Sequence, residues 1–274
     1  MQRQGGIHNA RAVARAYVRR LGIRAPEHIR IEAIAIRLAS WMGFRLRIVI
    51  GELDGADSQL IRAADEATII ISDRVSDPGQ RKFLIMHECG HLVLEHPLMP
   101  PRKLGDAGPR RCMLDHVRDY EAEANAFASE LTMPHALVHR WCGATPVTLD
   151  VPWRIAKTFG MTILASAIRF TELSPERCAA VFSAKGCVAW CAESATFPAI
   201  ERGRLLDPAS LAYDFWERGE VEEREQFVPA DSWFDTKVPV HIVEHAFASH
   251  KYGTVISMLW VPERVASPLG MAAQ

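Results

Sequence analysis

The sequence lacks the features that mark membrane-spanning, disulfide-dense and repetitive proteins. Its 274 residues contain no apolar run near the ~18–20 residues that a membrane helix needs. The six cysteines include no C-x-x-C pair, and the chain is too long for a disulfide-dense scaffold. It has no internal repeat and no low-complexity tract. We therefore expect a cytoplasmic protein with reduced thiols that does not bind a membrane.

An excess of one charge is also missing. Lys and Arg number 32 and Asp and Glu number 33, which leaves a formal net charge of -1. Such a chain has no overall positive field to attract nucleic acid, so we do not expect direct nucleic-acid binding. The sequence does contain 49% hydrophobic and 24% charged residues, a composition typical of a globular protein that buries a core.

The hydrophobic pattern predicts an α+β protein. Helical spacing of apolar residues predicts helices over residues 8–20 and 30–42. Alternating and β-branched residues predict strands over residues 44–50 and 67–72. A second β-rich region begins near residue 172, where we expect two hairpins with a helix between them.

Two more helices are predicted between these regions. Asp77 suits an N-cap and Pro78 suits the first helical position, so we expect a helix over residues 78–95. The Pro- and Gly-rich residues 97–111 are expected to form a loop. The pattern that follows predicts another helix over residues 115–132.

The first of these two helices carries the motif H-E-x-x-H. His87 and His91 are four residues apart, so a helix places their imidazoles on one face, close enough to bind one metal ion. Glu88 is too near the histidines to complete a tetrahedral site, and its natural role is to take a proton from the water that a bound zinc ion activates. Zinc lowers the pKa of that water to about 7 and polarises a peptide carbonyl. Two surface histidines on an amphipathic helix are the alternative.

A catalytic zinc site needs a third protein ligand and one open position. The helix predicted over residues 115–132 offers Glu121, and Asn125 shares its face, where it would hydrogen-bond a ligand histidine. Glu123 points about 200° away from Glu121 on a helix and is the alternative third ligand. Small residues such as Ala124 would let the two helices approach closely. A solvated acidic face explains the same residues without a metal. Two imidazoles and a carboxylate suit Zn2+, with manganese left open.

Together these motifs resemble the ImmA/IrrE family of bacterial metallo-endopeptidases. The H-E-x-x-H motif is followed some thirty residues later by E-x-E-A-N-x-F-A-x-x-L-x-M-P, and the similarity spans about residues 8–170. The resemblance implies zinc ligands at His87, His91 and Glu121. It implies a catalytic base at Glu88 and a protein substrate, namely a transcriptional repressor.

Composition and resemblance divide the chain into three expected parts. Residues 1–140 would form a zincin-like metallopeptidase domain, with two metal-bearing helices packed on a small sheet. Residues 141–171 resemble a helix-turn-helix, but the second helix offers only Arg169 for reading DNA, so we expect a structural module. Residues 172–274 would form an α+β domain, and some relatives of the family carry a sensor-like domain of the GAF kind there.

Two further features bear on the substrate. The strand over residues 67–72 would place an exposed sheet edge beside the zinc, where an extended substrate pairs with it, and an interior strand is the alternative. Peptidases of this type need a group that stabilises the oxyanion of the transition state. Among His96, His116, His135 and His139 we expect His116 to be that group.

Two other features are expected to be structural. Cys89 stands where the ImmA/IrrE family more often has Leu or Phe, and we interpret it as a small buried apolar residue. His241 and His245 belong to the inverted zinc motif H-x-x-E-H, but their surroundings are typical of a strand. A strand would hold the two histidines ~13 Å apart, too far to share a metal.

The sequence therefore predicts a zinc-dependent endopeptidase of ImmA/IrrE type that cuts a protein substrate. The alternative is a non-catalytic transcription regulator that uses the helix-turn-helix-like segment and the C-terminal domain.

Overall fold

A computed structural model describes residues 2–97 and 111–266 of the chain. The interior of the loop predicted over residues 97–111 lies outside the described residues. The helices and strands follow in this order: α1 (Gln2–Arg20), α2 (Ile31–Trp41), β1 (Arg45–Gly51), β2 (Ser58–Ala63), β3 (Glu66–Ser72), α3 (Pro78–Val93), α4 (Arg111–Thr132), α5 (His135–Val138), α6 (Asp150–Phe159), α7 (Ile163–Leu173), β4 (Cys178–Ala184), β5 (Cys187–Glu193), α8 (Leu211–Arg218), β6 (Gln226–Pro229), β7 (His241–Ser249), β8 (Thr254–Trp260) and α9 (Glu263–Ala266). The α+β class predicted from the hydrophobic pattern is confirmed.

The described residues fall into two compact units. The first takes the chain up to residue 137 together with 158–162, and the second takes residues 138–157 and the chain from residue 163 onward. Within the described part of the chain, no helix is both long enough and apolar enough to cross a bilayer. The three-part division into 1–140, 141–171 and 172–274 stays a prediction.

The first unit contains a three-stranded sheet in the order β1-β3-β2, with β1 parallel and β2 antiparallel to β3. The strand predicted over residues 67–72 is β3, and it is the central strand. The expectation of a sheet edge there is therefore wrong, because β2 pairs along that side of β3. Strand β2 was not predicted, since its segment SQLIRA mixes polar and apolar residues without a strong pattern.

The helix that carries H-E-x-x-H begins as its capping residues predict. The Asp77 side chain accepts a hydrogen bond from the backbone N–H of Gln80 at 2.8 Å, and Pro78 occupies the first position of α3. Gly79 then allows a close backbone approach, because a Cβ there would lie 2.7 Å from the backbone nitrogen of Thr162. The first turn of α3 is therefore fixed by the Asp77 cap and by close packing of Gly79 against the backbone of Thr162.

The second unit contains a five-stranded antiparallel sheet in the order β5-β4-β8-β7-β6. Helix α7 packs against β4 and β5, and helix α8 packs against β7 and β8. The Trp153 ring of α6 meets the Phe247 ring of β7 edge-on, with ring centroids 5.0 Å apart. Both predicted hairpins are present, whereas β6 was not predicted. A domain of the GAF kind remains a prediction.

Three side chains in this unit bear on the helix-turn-helix-like segment and on the H-x-x-E-H motif. Arg169, the only DNA-reading candidate on α7, is fully buried and forms an ion pair with Glu172 at 3.1 Å. His241 and His245 lie on strand β7, as their surroundings predict, and His245 Nδ1 accepts a hydrogen bond from the backbone N–H of Leu149. Arg169 is therefore not available to contact DNA, and strand β7 gives His241 and His245 a spacing too wide to share a metal.

Glu244 of strand β7 connects the sheet of the second unit to helix α8 through hydrogen bonds. Its fully buried carboxylate accepts hydrogen bonds from the backbone N–H groups of Leu211 and Ala212, at 3.0 and 3.1 Å. Trp233 Nε1 and Ser257 Oγ donate to the same carboxylate, at 2.9 and 2.8 Å. Burial raises the pKa of Glu244 to about 6, although the hydrogen bonds favour its charged form.

We expect Glu244→Ala to destabilise the second unit by about 2 kcal/mol or more, because it leaves several buried donors without an acceptor. The exposed loop residue Glu201 offers a matched control, Glu201→Ala. Chemical denaturation followed by tryptophan fluorescence measures both changes. Equal stability of the two variants would show that the hydrogen bonds of Glu244 contribute nothing.

Candidate metal centre

Helices α3 and α4 bring two imidazoles and one carboxylate to a single point. His87 Nε2 and His91 Nε2 lie 3.0 Å apart. The Glu121 carboxylate oxygens lie 3.2 Å from His87 Nε2 and 3.4 Å from His91 Nε2. Ligands of one tetrahedral zinc ion at 2.0–2.1 Å would stand about 3.3 Å apart, so these separations fit a shared ion. Within residues 2–97 and 111–266, this is the one cluster of three or more such side chains whose geometry suits a metal.

Two small residues allow the helices to approach. Gly90 of α3 faces Ala124 of α4, and a Cβ on Gly90 would lie 3.0 Å from the Cα of Ala124. Ala124 is itself fully buried. A larger side chain at either position would push the helices apart, and the carboxylate of Glu121 would move away from the imidazoles.

The partner of His87 orients its ring for metal binding. His87 Nδ1 lies 2.9 Å from Asn125 Oδ1, and because the amide oxygen only accepts, Nδ1–H is the donor. The neutral ring then presents the lone pair of Nε2 toward His91. Two imidazole nitrogens that face each other at 3.0 Å need a proton or a cation between them. The donor set of this cluster therefore fits a metal ion.

The electrostatics of the cluster also favour positive charge. Hydrogen bonds from His87 and His91 hold the pKa of Glu121 well below its usual range, so this carboxylate is ionised. Burial lowers the pKa of His87, but its hydrogen bond to Glu121 and the charges of Glu88 and Glu121 outweigh burial, and the net direction is upward. The Glu121 side chain is 51% exposed, so the cluster opens to solvent on that side.

Glu88 lies beside the cluster and is held by a residue of the unpredicted strand. The carboxyl group is buried, and Ser58 Oγ of β2 donates a hydrogen bond to Glu88 Oε1 at 2.6 Å. Residues Ser58, Gln59 and Leu60 line an open cleft together with the histidines and both glutamates.

Glu123, the alternative third ligand, does not join the cluster. Its Oε2 lies 3.1 Å from Nε2 of His96, the residue three positions past the end of α3. His96 Nδ1 in turn lies 3.0 Å from His91 Nδ1. In the structure Glu121 reaches the imidazoles directly, and Glu123 reaches His91 only through His96.

Three other candidate residues lie near the motif in sequence: His116, His96 and Cys89. The His116 side chain lies outside the described part of the chain, so its role in oxyanion stabilisation stays a prediction. His96 is 3% exposed and occupied on both ring nitrogens, so it is not directed at a substrate. Cys89 is fully buried and burial raises its pKa, which agrees with a small apolar core residue and not with a reactive thiol.

The roles of Ser58 and His96 were not predicted. Ser58 carries no local signal because it begins a short strand of mixed composition. His96 offers one weak signal, since it lies five residues after His91 at the point where the helix ends. Their partners lie 30 and 27 residues away in sequence, a separation at which no helical or strand periodicity operates.

Comparisons with known proteins relate part of this chain to a peptidase family. Residues 43–171 match the family model described as the IrrE N-terminal-like domain of a peptidase family. A solved structure described as a Mycobacterium tuberculosis transcriptional regulator is similar with a TM-score of 0.57 and 15% sequence identity, over 96% of this chain and 78% of that one. At this identity the likeness shows the fold alone. No curated protein sequence matches the chain.

Proposed function

We propose that the chain is a zinc-dependent endopeptidase that hydrolyses a peptide bond of a protein substrate, because residues 43–171 match the family model of the IrrE N-terminal-like domain. The observation that carries this proposal is the convergence of His87, His91 and Glu121 beside the carboxylate of Glu88, in a cleft open to solvent.

His87, His91 and Glu121 would hold the metal, and Asn125 would keep His87 in the tautomer that binds it. A bound zinc ion supplies Lewis acidity, which acidifies water and polarises a carbonyl. Glu88 takes the proton from the attacking water at its carboxylate and later gives that proton to the leaving amine. The hydrogen bond from Ser58 would hold the carboxylate in place at the cleft, which both residues line.

The substrate would bind along β2 in an extended conformation. In the described part of the chain β2 pairs only with β3, and residues Ser58, Gln59 and Leu60 line the cleft. A free strand edge offers backbone hydrogen bonds that make little demand on the substrate sequence. We propose a repressor protein as the substrate, cut in an exposed extended segment.

Metal content and cleavage test this proposal together. Elemental analysis of the purified chain is expected to find one zinc per chain. Incubation with DNA-binding repressor proteins from the same cell is expected to yield two fragments, detected by mass spectrometry. A zinc chelator should abolish cleavage and added zinc should restore it. A metal-free chain, or cleavage that survives chelation, would contradict the proposal.

The description of the similar solved structure as a transcriptional regulator favours a second candidate function. In that case the chain would bind DNA or a transcription protein without cutting it. Tight, salt-dependent binding of a specific DNA sequence by a chain that lacks peptidase activity would support this candidate. The burial of Arg169 argues against α7 as the element that reads DNA.

A further inference from the structure

The nitrogen of His91 that points away from the proposed metal has an unusual partner. A ligand histidine ordinarily donates its second ring N–H to a carboxylate, a backbone carbonyl or water. Here His91 Nδ1 lies 3.0 Å from Nδ1 of a second histidine, His96. The other nitrogen of that histidine lies 3.1 Å from the carboxylate of Glu123. The three side chains form a continuous chain of hydrogen bonds.

The directions of these hydrogen bonds follow from the chemistry at each end. If His91 Nε2 binds the metal, its proton must be on Nδ1, and that N–H donates to His96 Nδ1. His96 must then carry its own proton on Nε2, and this N–H donates to Glu123 Oε2. A carboxylate oxygen accepts, so the Glu123 end requires the same direction. Both ends therefore select one tautomer for each histidine.

The surroundings of His96 hold it in this position. Its side chain is 3% exposed, and the Arg62 guanidinium of β2 donates a hydrogen bond to its backbone carbonyl at 3.0 Å. The Tyr120 ring lies against the imidazole with centroids 4.7 Å apart. On the far side, Gly6 of α1 leaves room for the Glu123 carboxylate, which a Cβ at that position would strike. Strand β2 and helix α4 thus contact this histidine, and helix α1 leaves room for its acidic partner.

We propose that His96 and Glu123 are positioning residues that hold His91 in the ring orientation and tautomer required of a metal ligand. This inference rests on the proposed function, since it requires a metal on His91. It assigns Glu123 a defined task at the centre without direct coordination. It also gives His96 a task other than contact with the substrate.

The hydrogen-bonded chain His91–His96–Glu123 is called the relay below. Zinc affinity, measured by competition with a chromophoric chelator, tests the relay without any substrate. His96→Leu keeps an apolar side chain of moderate size and removes both hydrogen bonds. We expect it to bind zinc about 10–100-fold more weakly than the wild type, which is the usual cost of removing such a partner. Glu123→Leu should weaken binding in the same direction. Glu123→Gln should stay near the wild type, because its amide oxygen still accepts from His96 Nε2–H.

The exposed residue His28, also in the first unit, gives the control His28→Leu, for which we expect wild-type affinity. Long-range 1H–15N NMR of the zinc-loaded wild type gives an independent reading. The spectrum should show His91 protonated on Nδ1 and His96 protonated on Nε2. If His96→Leu does not fold, this spectrum and the zinc affinities of the Glu123 variants test whether the relay positions His91.

The outcomes separate the relay from the proposed function. A wild-type chain that binds no zinc would contradict the metal centre and the endopeptidase with it. A wild-type chain that binds zinc, with folded His96→Leu and Glu123→Leu variants of equal affinity, would overturn the relay alone. The opposite tautomer at His96 would overturn it as well.

Discussion

Glu88→Gln is expected to leave zinc binding and folding intact while it slows cleavage by about three orders of magnitude, the typical contribution of a general base. Glutamine has nearly the same shape, and its amide oxygen still accepts the hydrogen bond from Ser58 Oγ. It cannot take a proton from water at neutral pH, so only the chemical step is lost. The measurement is the initial rate of substrate cleavage at saturating zinc.

Two controls distinguish the loss of a base from the loss of the metal ion or of the fold. Elemental analysis of Glu88→Gln should return the zinc content of the wild type, because Glu88 is not one of the three residues whose ligand atoms converge. Glu95 is exposed just beyond α3, and Glu95→Gln should cleave at the wild-type rate. If Glu88→Gln cleaves as fast as the wild type, the assignment of the base is wrong.

Glu121→Ala is expected to remove zinc from the purified chain. The substitution deletes the single carboxylate of the cluster and leaves two neutral imidazoles, which cannot balance the charge of a divalent cation. We expect the loss of affinity to exceed the roughly 100-fold upper end that the removal of a positioning residue causes. Chelator competition and elemental analysis measure it directly.

The matched control is Glu32→Ala, which removes an exposed glutamate from α2. This variant should keep one zinc per chain. Circular dichroism should show both variants folded, because the Glu121 side chain is half exposed and packs little apolar surface. Undiminished zinc in folded Glu121→Ala would move the third ligand to another residue.

Most of the predicted helices were predicted from local features of the sequence. Asp77 and Pro78 marked the start of α3, and the spacing of His87 and His91 placed both imidazoles on one face of it. These inferences succeed because a helix obeys a 3.6-residue period, and capping depends on side chains within one turn. The alternating and β-branched pattern likewise indicated β1 and β3, which lie next to each other in the sheet.

The errors share a physical cause. The β-branched composition of residues 67–72 is visible in the sequence, but the sequence does not show which strands pair with this one. Its place in the centre of the sheet depends on pairing with Ser58–Ala63, a segment whose composition is typical of an exposed edge. Strand order is a property of long-range pairing, so a pattern within one strand cannot reveal it.

The sequence alone was enough to predict a metal site, because the two histidines, the neighbouring glutamate and the acidic residues are set by spacing along two helices. Only the tertiary structure showed which of these side chains meet. The packing of Gly90 against Ala124 brings Glu121 to the imidazoles, while Glu123 contacts His96 instead. Ser58 reaches Glu88 from a different strand. Such contacts join residues that are far apart in the chain, and they arise from packing and shape, which leave no period in the sequence.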